Sequence, residues 1–278
     1  MTHWPGRLVL LGHPLGHSLS PTFQNAALRA AGIPLTYETV DVPRSALRRT
    51  LNDLHIARAA GNVTIPYKEE VAGSCERLSA TARATGAVNT FWNAVDGVRV
   101  GDNTDVDGFR AAVARLLGGG APPADAQIAL LGAGGAASAV LHALEGWQRA
   151  QVRVYSRTRE RAEQLVRRFK LSARVVASAD DAVRDASLVV NATPIGRRAD
   201  DPAPFPANAL AENAAVLDLT YGMNETALVR DARALGHPAM DGLLMLVEQG
   251  ATSFERWFNV PPDRSAMWAA LGRDAMMA

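Results

Sequence analysis

The chain has 278 residues, enough for two domains with a core each, and its 29 Lys and Arg nearly balance 28 Asp and Glu, which excludes a net field that would draw nucleic acid or an anionic membrane. A single cysteine, Cys75, excludes an internal disulfide, and no Cys/His cluster has the spacing of a zinc site. The longest apolar stretch, residues 128–144, is broken by three glycines, which excludes a membrane span. Near the N-terminus only residues 8–11 form an apolar run, without the basic region and long apolar core of a signal peptide, so the reducing cytoplasm is the expected location.

A strand is expected at 7–11, leading into Gly12-His13-Pro14-Leu15-Gly16-His17-Ser18-Leu19-Ser20-Pro21, a loop dense in glycine, proline and hydroxyls. Ser20 and Pro21 read as the N-cap and first residue of a helix over 22–31 that stops at Gly32. Capping accounts for Ser20 and leaves Ser18 with its hydroxyl free for a ligand; His17 reads as a loop hydrogen-bonder. A strand at 35–40 and a helix at 44–54 complete a first β-α-β-α unit. Residues 63–65 are strand-like, Pro66 ends ladder donation, and Lys68 opens a helix, where a cation is electrostatically disfavoured. Two readings of Lys68 stand at this point: a proton-transfer group, or an exposed lysine balanced by Glu69 and Glu70. Cys75 reads as a small buried apolar residue. Another strand is expected at 86–91, and Gly101-Asp102-Asn103-Thr104-Asp105-Val106-Asp107-Gly108 reads as a polar turn capping a helix over 109–117. Its three aspartates lack the spacing of a calcium loop. Gly118-Gly119-Gly120-Ala121-Pro122-Pro123 is the clearest linker in the chain.

Then comes Ile128-Ala129-Leu130-Leu131-Gly132-Ala133-Gly134-Gly135-Ala136-Ala137, in which a buried strand ends at Gly132, turns tightly and opens a helix near Gly135. Backbone N–H groups and the positive end of the helix dipole meet there, which makes a phosphate site. The spacing Gly132-x-Gly134-x-x-Ala137 fits the dinucleotide fingerprint. At the end of the next strand, 152–155, an NAD site would carry Asp or Glu for the ribose; this chain has Ser156, Arg157, Thr158 and Arg161, hydroxyls and guanidiniums that suit a 2′-phosphate and hence NADP. A solvated basic helix start is the other reading, but it leaves cations opposing the macrodipole with no anion bound. Beyond it the pattern runs through a helix to 170, a strand at 174–176, a helix near Asp181 and a buried strand at 188–190. That strand leads into Asn191-Ala192-Thr193-Pro194-Ile195-Gly196, at a carboxyl end, where open α/β sheets bind ligands. A strand at 216–219 and a helix at 227–235 precede a long helix to about 258, whose Leu243, Leu246, Val247, Gly250 and Phe254 form a buried stripe beside a core Met245. Pro261-Pro262 breaks it before a last helix over 265–276.

Several stretches spread along nearly the whole chain together resemble the shikimate dehydrogenase family: Ser18-Leu19-Ser20-Pro21, Asn62-Val63-Thr64-Ile65-Pro66-Tyr67-Lys68-Glu69-Glu70, Gly86-Ala87-Val88-Asn89-Thr90, Gly101-Asp102-Asn103-Thr104-Asp105, Gly132-Ala133-Gly134-Gly135-Ala136, Asn191-Ala192-Thr193-Pro194 and Met245-Leu246-Val247-Glu248-Gln249. The resemblance implies an α/β fold of two domains with a cleft between them: an N-terminal α/β substrate domain completed by C-terminal helices, 1–103 plus 241–278, and a Rossmann-type NADP-binding domain, 104–240. It implies reversible NADP-linked reduction of 3-dehydroshikimate to shikimate, on the way to aromatic amino acids, by a monomer or homodimer without a metal.

Carried over by position, Lys68 and Asp105 look like the catalytic pair, which turns the open reading of Lys68 toward catalysis. Ser18 and Ser20 would hold the substrate carboxylate, Thr64, Asn89, Asp105 and Gln249 its ring hydroxyls, and Tyr221 would face it. NADP would lie along Gly132, Gly134, Gly135, Ala136 and Ala137, on Ser156, Arg157, Thr158 and Arg161, and near Thr193, Gly242 and Met245. Three positions depart from the family pattern: Ser156 stands for the usual asparagine, Gly222 for a common proline, and Leu244 for a frequent glycine. A quinate or broad quinate/shikimate dehydrogenase is the nearest alternative. A non-catalytic NADP sensor is a further one, which the presence of both Lys68 and Asp105 disfavours.

Overall fold

Two apolar runs, Leu8–Gly12 and Gln127–Leu131, are buried almost end to end, as strands covered on both faces must be. Each lies inside its own six-stranded sheet. The computed structural model describes residues 4–16, 18–120, 122–147, 149–198, 200–222 and 224–273. It divides into two units, Met1–Gly108 with Leu246–Ala278, and Phe109–Met245. His17 lies outside the described residues.

The first unit runs β1 (Leu8–Gly12), α1 (Ser20–Ala30), β2 (Tyr37–Asp41), a 3-10 turn at Arg44–Ala46, α2 (Leu47–Ile56), β3 (Ala60–Val63), α3 (Lys68–Ala72), β4 (Arg77–Leu78), α4 (Ala80–Thr85), β5 (Thr90–Asn93), β6 (Arg99–Asp102) and the start of α5 (Asp105–Leu116). Its sheet order is β2-β1-β3-β5-β6-β4. Strands β2, β1 and β3 are parallel, and β5 runs antiparallel to both β3 and β6. The carboxyl ends of β1, β3 and β6 therefore share one edge with the start of β5. Val9, Leu11, Val63, Tyr67, Val71 and Phe91 form the core on one side. The thiol of Cys75 packs against it and is pushed up to about 11 by burial, which keeps it from acting as a nucleophile near neutral pH.

The second unit contains β7 (Gln127–Leu131), α6 (Gly135–Leu144), β8 (Gln151–Tyr155), α7 (Arg159–Val166), β9 (Ser172–Val175), α8 (Ala179–Val183), β10 (Leu188–Asn191), β11 (Ala215–Asp218), α9 (Ala227–Ala234) and β12 (Ala239–Asp241). All its strands are parallel, in the order β12-β11-β10-β7-β8-β9, so the strand order reverses between β10 and β7. That is the switch point at which an open α/β sheet takes a ligand. The chain ends in α10 (Leu243–Phe258) and α11 (Arg264–Ala270), the latter packed on α1. Gly250 lets α10 approach α1: a Cβ there would stand 2.5 Å from a Phe23 ring carbon, and the Gly250 carbonyl accepts a 2.9 Å bond from Gln24.

Several boundaries differ from those expected. The division between units falls after Gly108 and Met245 rather than after 103 and 240, because α5 and α10 each run through it as continuous helices. The linker around residues 118–123 lies inside the second unit and marks no domain boundary. Strand β3 ends at Val63, so Thr64 is the first residue past the strand, and α5 begins at Asp105 rather than at 109. β5 covers 90–93 instead of 86–91, and β4, α4, β6 and β12 are too short or too polar for their periodicity to announce them. Helix α7 stops at Val166, and α11 at Ala270, with residues 274–276 outside the described residues.

Candidate active site

On the first unit, the shared strand edge gathers most of the polar residues singled out in the sequence. Lys68 is the first residue of α3, and its Nζ donates to Asp105 Oδ2, at the first residue of α5. The pair is withdrawn from solvent, with side chains 15% and 5% exposed. The positive end of α5 favours the carboxylate where it stands. Its other oxygen, Oδ1, accepts from Asn89 Nδ2 at 2.8 Å. The Asn89 amide also reaches Thr104 Oγ1 at 3.0 Å and Gln249 Oε1 at 3.1 Å, while its carbonyl accepts the Thr104 backbone N–H at 2.7 Å. One buried asparagine thus fixes Asp105 and Gln249 together, and a filled polar network of this kind holds its members in one geometry.

The network extends to residues that motif reading had given no role. Ser253, one turn beyond Gln249 on α10, lies 3.0 Å from Thr104 Oγ1 and accepts from Asn62 Nδ2 at 2.8 Å. Asn62 in turn accepts from Tyr37 OH at 2.8 Å. A buried asparagine in the middle of an apolar strand was the available signal, since such a group needs partners.

Ser20 does not cap α1 as expected, and the Ser18 hydroxyl is not left free. The N-cap of α1 is Leu19, with no side-chain cap bond, and Ser20 is the first helical residue. The Ser18 hydroxyl accepts the Ser20 backbone N–H at 3.3 Å, whereas the hydroxyl of Ser20, a residue 4% exposed, makes no hydrogen bond among the described residues. Capping therefore does not account for Ser20. Thr64 stands beside Gly12 at the ends of β3 and β1, where a Cβ on the glycine would come within 2.5 Å of the threonine methyl.

On the second unit, the phosphate turn has the required form. Gly132 holds a φ of +114°, and a Cβ there would lie 2.7 Å from the Ala192 carbonyl oxygen, so the β7 and β10 turns touch only because the residue is glycine. Gly134 caps α6 with no side chain, and nothing lies within 4 Å of where its Cβ would be. Gly135 and Ala136 open the helix, and Ala137 is fully buried against the sheet. With no side-chain cap, the first N–H groups of α6 are left for a ligand, as a phosphate cradle requires. Beyond β8, Ser156 Oγ accepts the Thr158 backbone N–H at 3.3 Å, Thr158 caps α7 without a side-chain bond, and the exposed Arg157 and Arg161 have no hydrogen bond or ion pair among the described residues. The residues fit NADP.

The Thr193 hydroxyl donates to Asn191 Oδ1 at 2.7 Å and so shapes its own turn. Gly242 is explained by packing, since a Cβ would stand 2.4 Å from the Leu219 carbonyl oxygen, and Met245 is buried. Tyr221, on the segment after β11, is half-buried and belongs to this second unit. Among the described residues no three His, Cys, Asp or Glu side chains gather as a metal site, and no helix is long and apolar enough to cross a membrane.

Asp218, at the end of β11, is fully buried, and burial pushes its carboxyl above the usual range against bonds from Asn191 and Thr220. A carboxyl whose folded pKa is raised stabilises the fold less as pH rises from its unfolded value through the folded one. Asp218→Asn keeps the accepting oxygen and removes that dependence, so its Tm relative to wild type should climb between pH 4 and pH 8. A Tm difference that is flat or falls over that range would show that the ionised form is the one the fold favours.

Three family models match the chain: Shikimate dehydrogenase substrate binding domain over residues 10–91, Shikimate / quinate 5-dehydrogenase over 120–197, and Shikimate 5'-dehydrogenase C-terminal domain over 242–271. The chain is 40% identical over 269 residues, 94% of each protein, to the Shikimate dehydrogenase (NADP(+)) of Rubrobacter xylanophilus. It belongs to the shikimate dehydrogenase family. A family structure, shikimate 5-dehydrogenase from Thermus thermophilus in complex with NADP(H) and shikimate, matches with a TM-score of 0.82 at 38% identity, covering 96% of this chain and 98% of that one. Quinate dehydrogenase from Corynebacterium glutamicum, in complex with NAD, matches with a TM-score of 0.84 at 29% identity over 95% and 97%. The family fold thus carries more than one substrate and cofactor, and the choice rests on side chains.

Proposed function

We infer that this chain catalyses the reversible reduction of 3-dehydroshikimate to shikimate with NADPH. The observation that carries the reading is the withdrawn Lys68–Asp105 pair, tied through Asn89 to Gln249. NADPH supplies the hydride when bound. As the ketone carbon accepts it, negative charge grows on the oxygen, and the Lys68 ammonium both stabilises that charge and gives up a proton to it, leaving a hydroxyl and a neutral amine. In the oxidising direction the amine takes the hydroxyl proton back. Asp105 holds Lys68 in place, and its second oxygen, fixed by Asn89, orients it.

Asn89, Gln249 and Thr64 suit ring hydroxyls, and Ser18 and Ser20 suit a carboxylate, the unpartnered Ser20 hydroxyl above all. Tyr221 completes the proposed substrate contacts, and Thr193, Gly242 and Met245 those to the cofactor. The second unit is the proposed NADP-binding domain and the first the substrate domain, in a cytoplasmic enzyme.

Steady-state assays crossing NADP and NAD with shikimate and quinate test the reading. Turnover should be highest with shikimate and NADP; quinate with NAD as the best pair would overturn it. Arg157→Ala should weaken NADP and leave NAD nearly as before, since only NADP carries a phosphate for the guanidinium. A charge-assisted bond contributes about 1.5–3 kcal/mol, so the KM for NADP should rise roughly tenfold or more. Equal losses for both cofactors would make Arg157 a structural residue.

A further inference from the structure

A second cluster of arginines lies on the nucleotide unit, built on strands β8 and β9 and on the ends of α7 and α8. Strands β8 and β9 are parallel, and in their register Arg153 stands directly opposite Arg174. Like charges at paired positions repel, and an edge strand has many other residues to choose from. Neither guanidinium has a carboxylate partner among the described residues. Arg153 is only 8% exposed, yet its one hydrogen bond is from Nη1 to the Asp181 carbonyl oxygen at 3.2 Å, and its Nε has no partner at all. Burial first, and Arg174 next, work against its charged form.

Arg153 and Arg174 line a cavity of about 440 Å³ together with Arg159, the first residue of α7, Arg184 at the end of α8, Asp181 and Val176. Arg159 is tied to Glu163 at 2.9 Å and Arg184 to Asp181 at 3.6 Å, which leaves Arg153 and Arg174 without an ion pair among the described residues, Asp185 and Asp181 acting on Arg153 only through space. The cavity is an open depression rather than an enclosed pocket, with Arg159, Arg174 and Arg184 exposed around the buried Arg153. Buried unpaired charge is costly, and a guanidinium fork matches the oxygens of a phosphate better than those of any neutral group.

We propose that this cavity binds a phosphate-bearing anion, separately from the two phosphate points of the cofactor at Gly134 and Arg157. Arg153 is the buried anchor, Arg174 its partner across the strand pair, and Arg159 and Arg184 are further cations lining the cavity. The proposed occupant is a free phosphate compound; the 2′-phosphate of the cofactor itself is the competing occupant, and saturation with NADP separates the two.

Inorganic pyrophosphate is titrated calorimetrically into the full-length protein already saturated with NADP, at constant ionic strength. Binding should persist with the cofactor in place, and the Arg174→Ala/Arg184→Ala variant should weaken it at least tenfold with the KM for NADP within twofold of wild type. Both positions are exposed, and Arg174→Gln alone serves as a milder variant, with far-UV circular dichroism as the check on folding. Loss of pyrophosphate binding on NADP saturation, or unchanged binding in the folded variants, would overturn the proposal.

Discussion

Lys68→Ala should lower kcat and kcat/KM for shikimate oxidation together, by about 10²–10⁴-fold, with KM little changed. The range is that of general acid–base catalysis with part of the electrostatic stabilisation added. The effect falls on kcat because the oxygen facing the ammonium carries full charge only as hydride moves, so the interaction lost is one made in the transition state. Gln249→Ala is the contrast. Its amide is engaged at both ends, with Asn89 at 3.1 Å and the Leu246 carbonyl at 2.7 Å, and it suits a hydroxyl that stays uncharged throughout. That variant should mainly raise KM. Removing Lys68 also leaves Asp105, 5% exposed, as a buried carboxylate without its cation, and breaking such a pair costs about 3–5 kcal/mol. Rates are therefore compared well below the Tm of each variant. A folded Lys68→Ala enzyme with near-wild-type turnover would send the proton by another route.

Asp105→Asn is the second large effect. The substitution keeps the shape of the side chain and removes its charge, and the new amide must turn a donor toward either the Lys68 ammonium or the Asn89 amide, both of which are donors. No orientation satisfies both sides. The lysine then loses the group that holds it, and kcat should fall about 10²–10⁴-fold, comparable with exchanging the carboxylate that orients a catalytic base for an amide. Asp105→Glu keeps the charge and, where the longer side chain reaches Lys68, should recover part of the activity. Loss of less than tenfold in a folded Asp105→Asn enzyme would reduce Asp105 to a structural partner of α5.

Much of the nucleotide unit was legible because its demands are local. Gly132 needs a positive φ beside the Ala192 carbonyl, Gly134 needs an open helix start, and the β7 and β8 runs are apolar over most of their length. Each of these requirements sits within a few residues of the one that meets it. Ser18 and Ser20 were legible as a pair but the cap was misplaced, since a small shift in the start of α1 moves it from Ser20 to Leu19. A larger error of the same kind, about one helical turn, put Asp105 in a turn instead of at the head of α5.

By itself the sequence determined the α/β class, the phosphate turn, the basic set after β8 and the polar stretches that carry the family resemblance, because periodicity, glycine placement and helix-end chemistry act between near neighbours. Only the tertiary structure decided which distant groups meet. Asn62 reaches Ser253 across 191 positions and Asn89 reaches Gln249 across 160, while Arg153 faces Arg174 through strand register. Those pairings are set by strand register within each sheet and by how α10 packs, and they are chosen by the sum of many buried contacts that no single stretch of sequence contains.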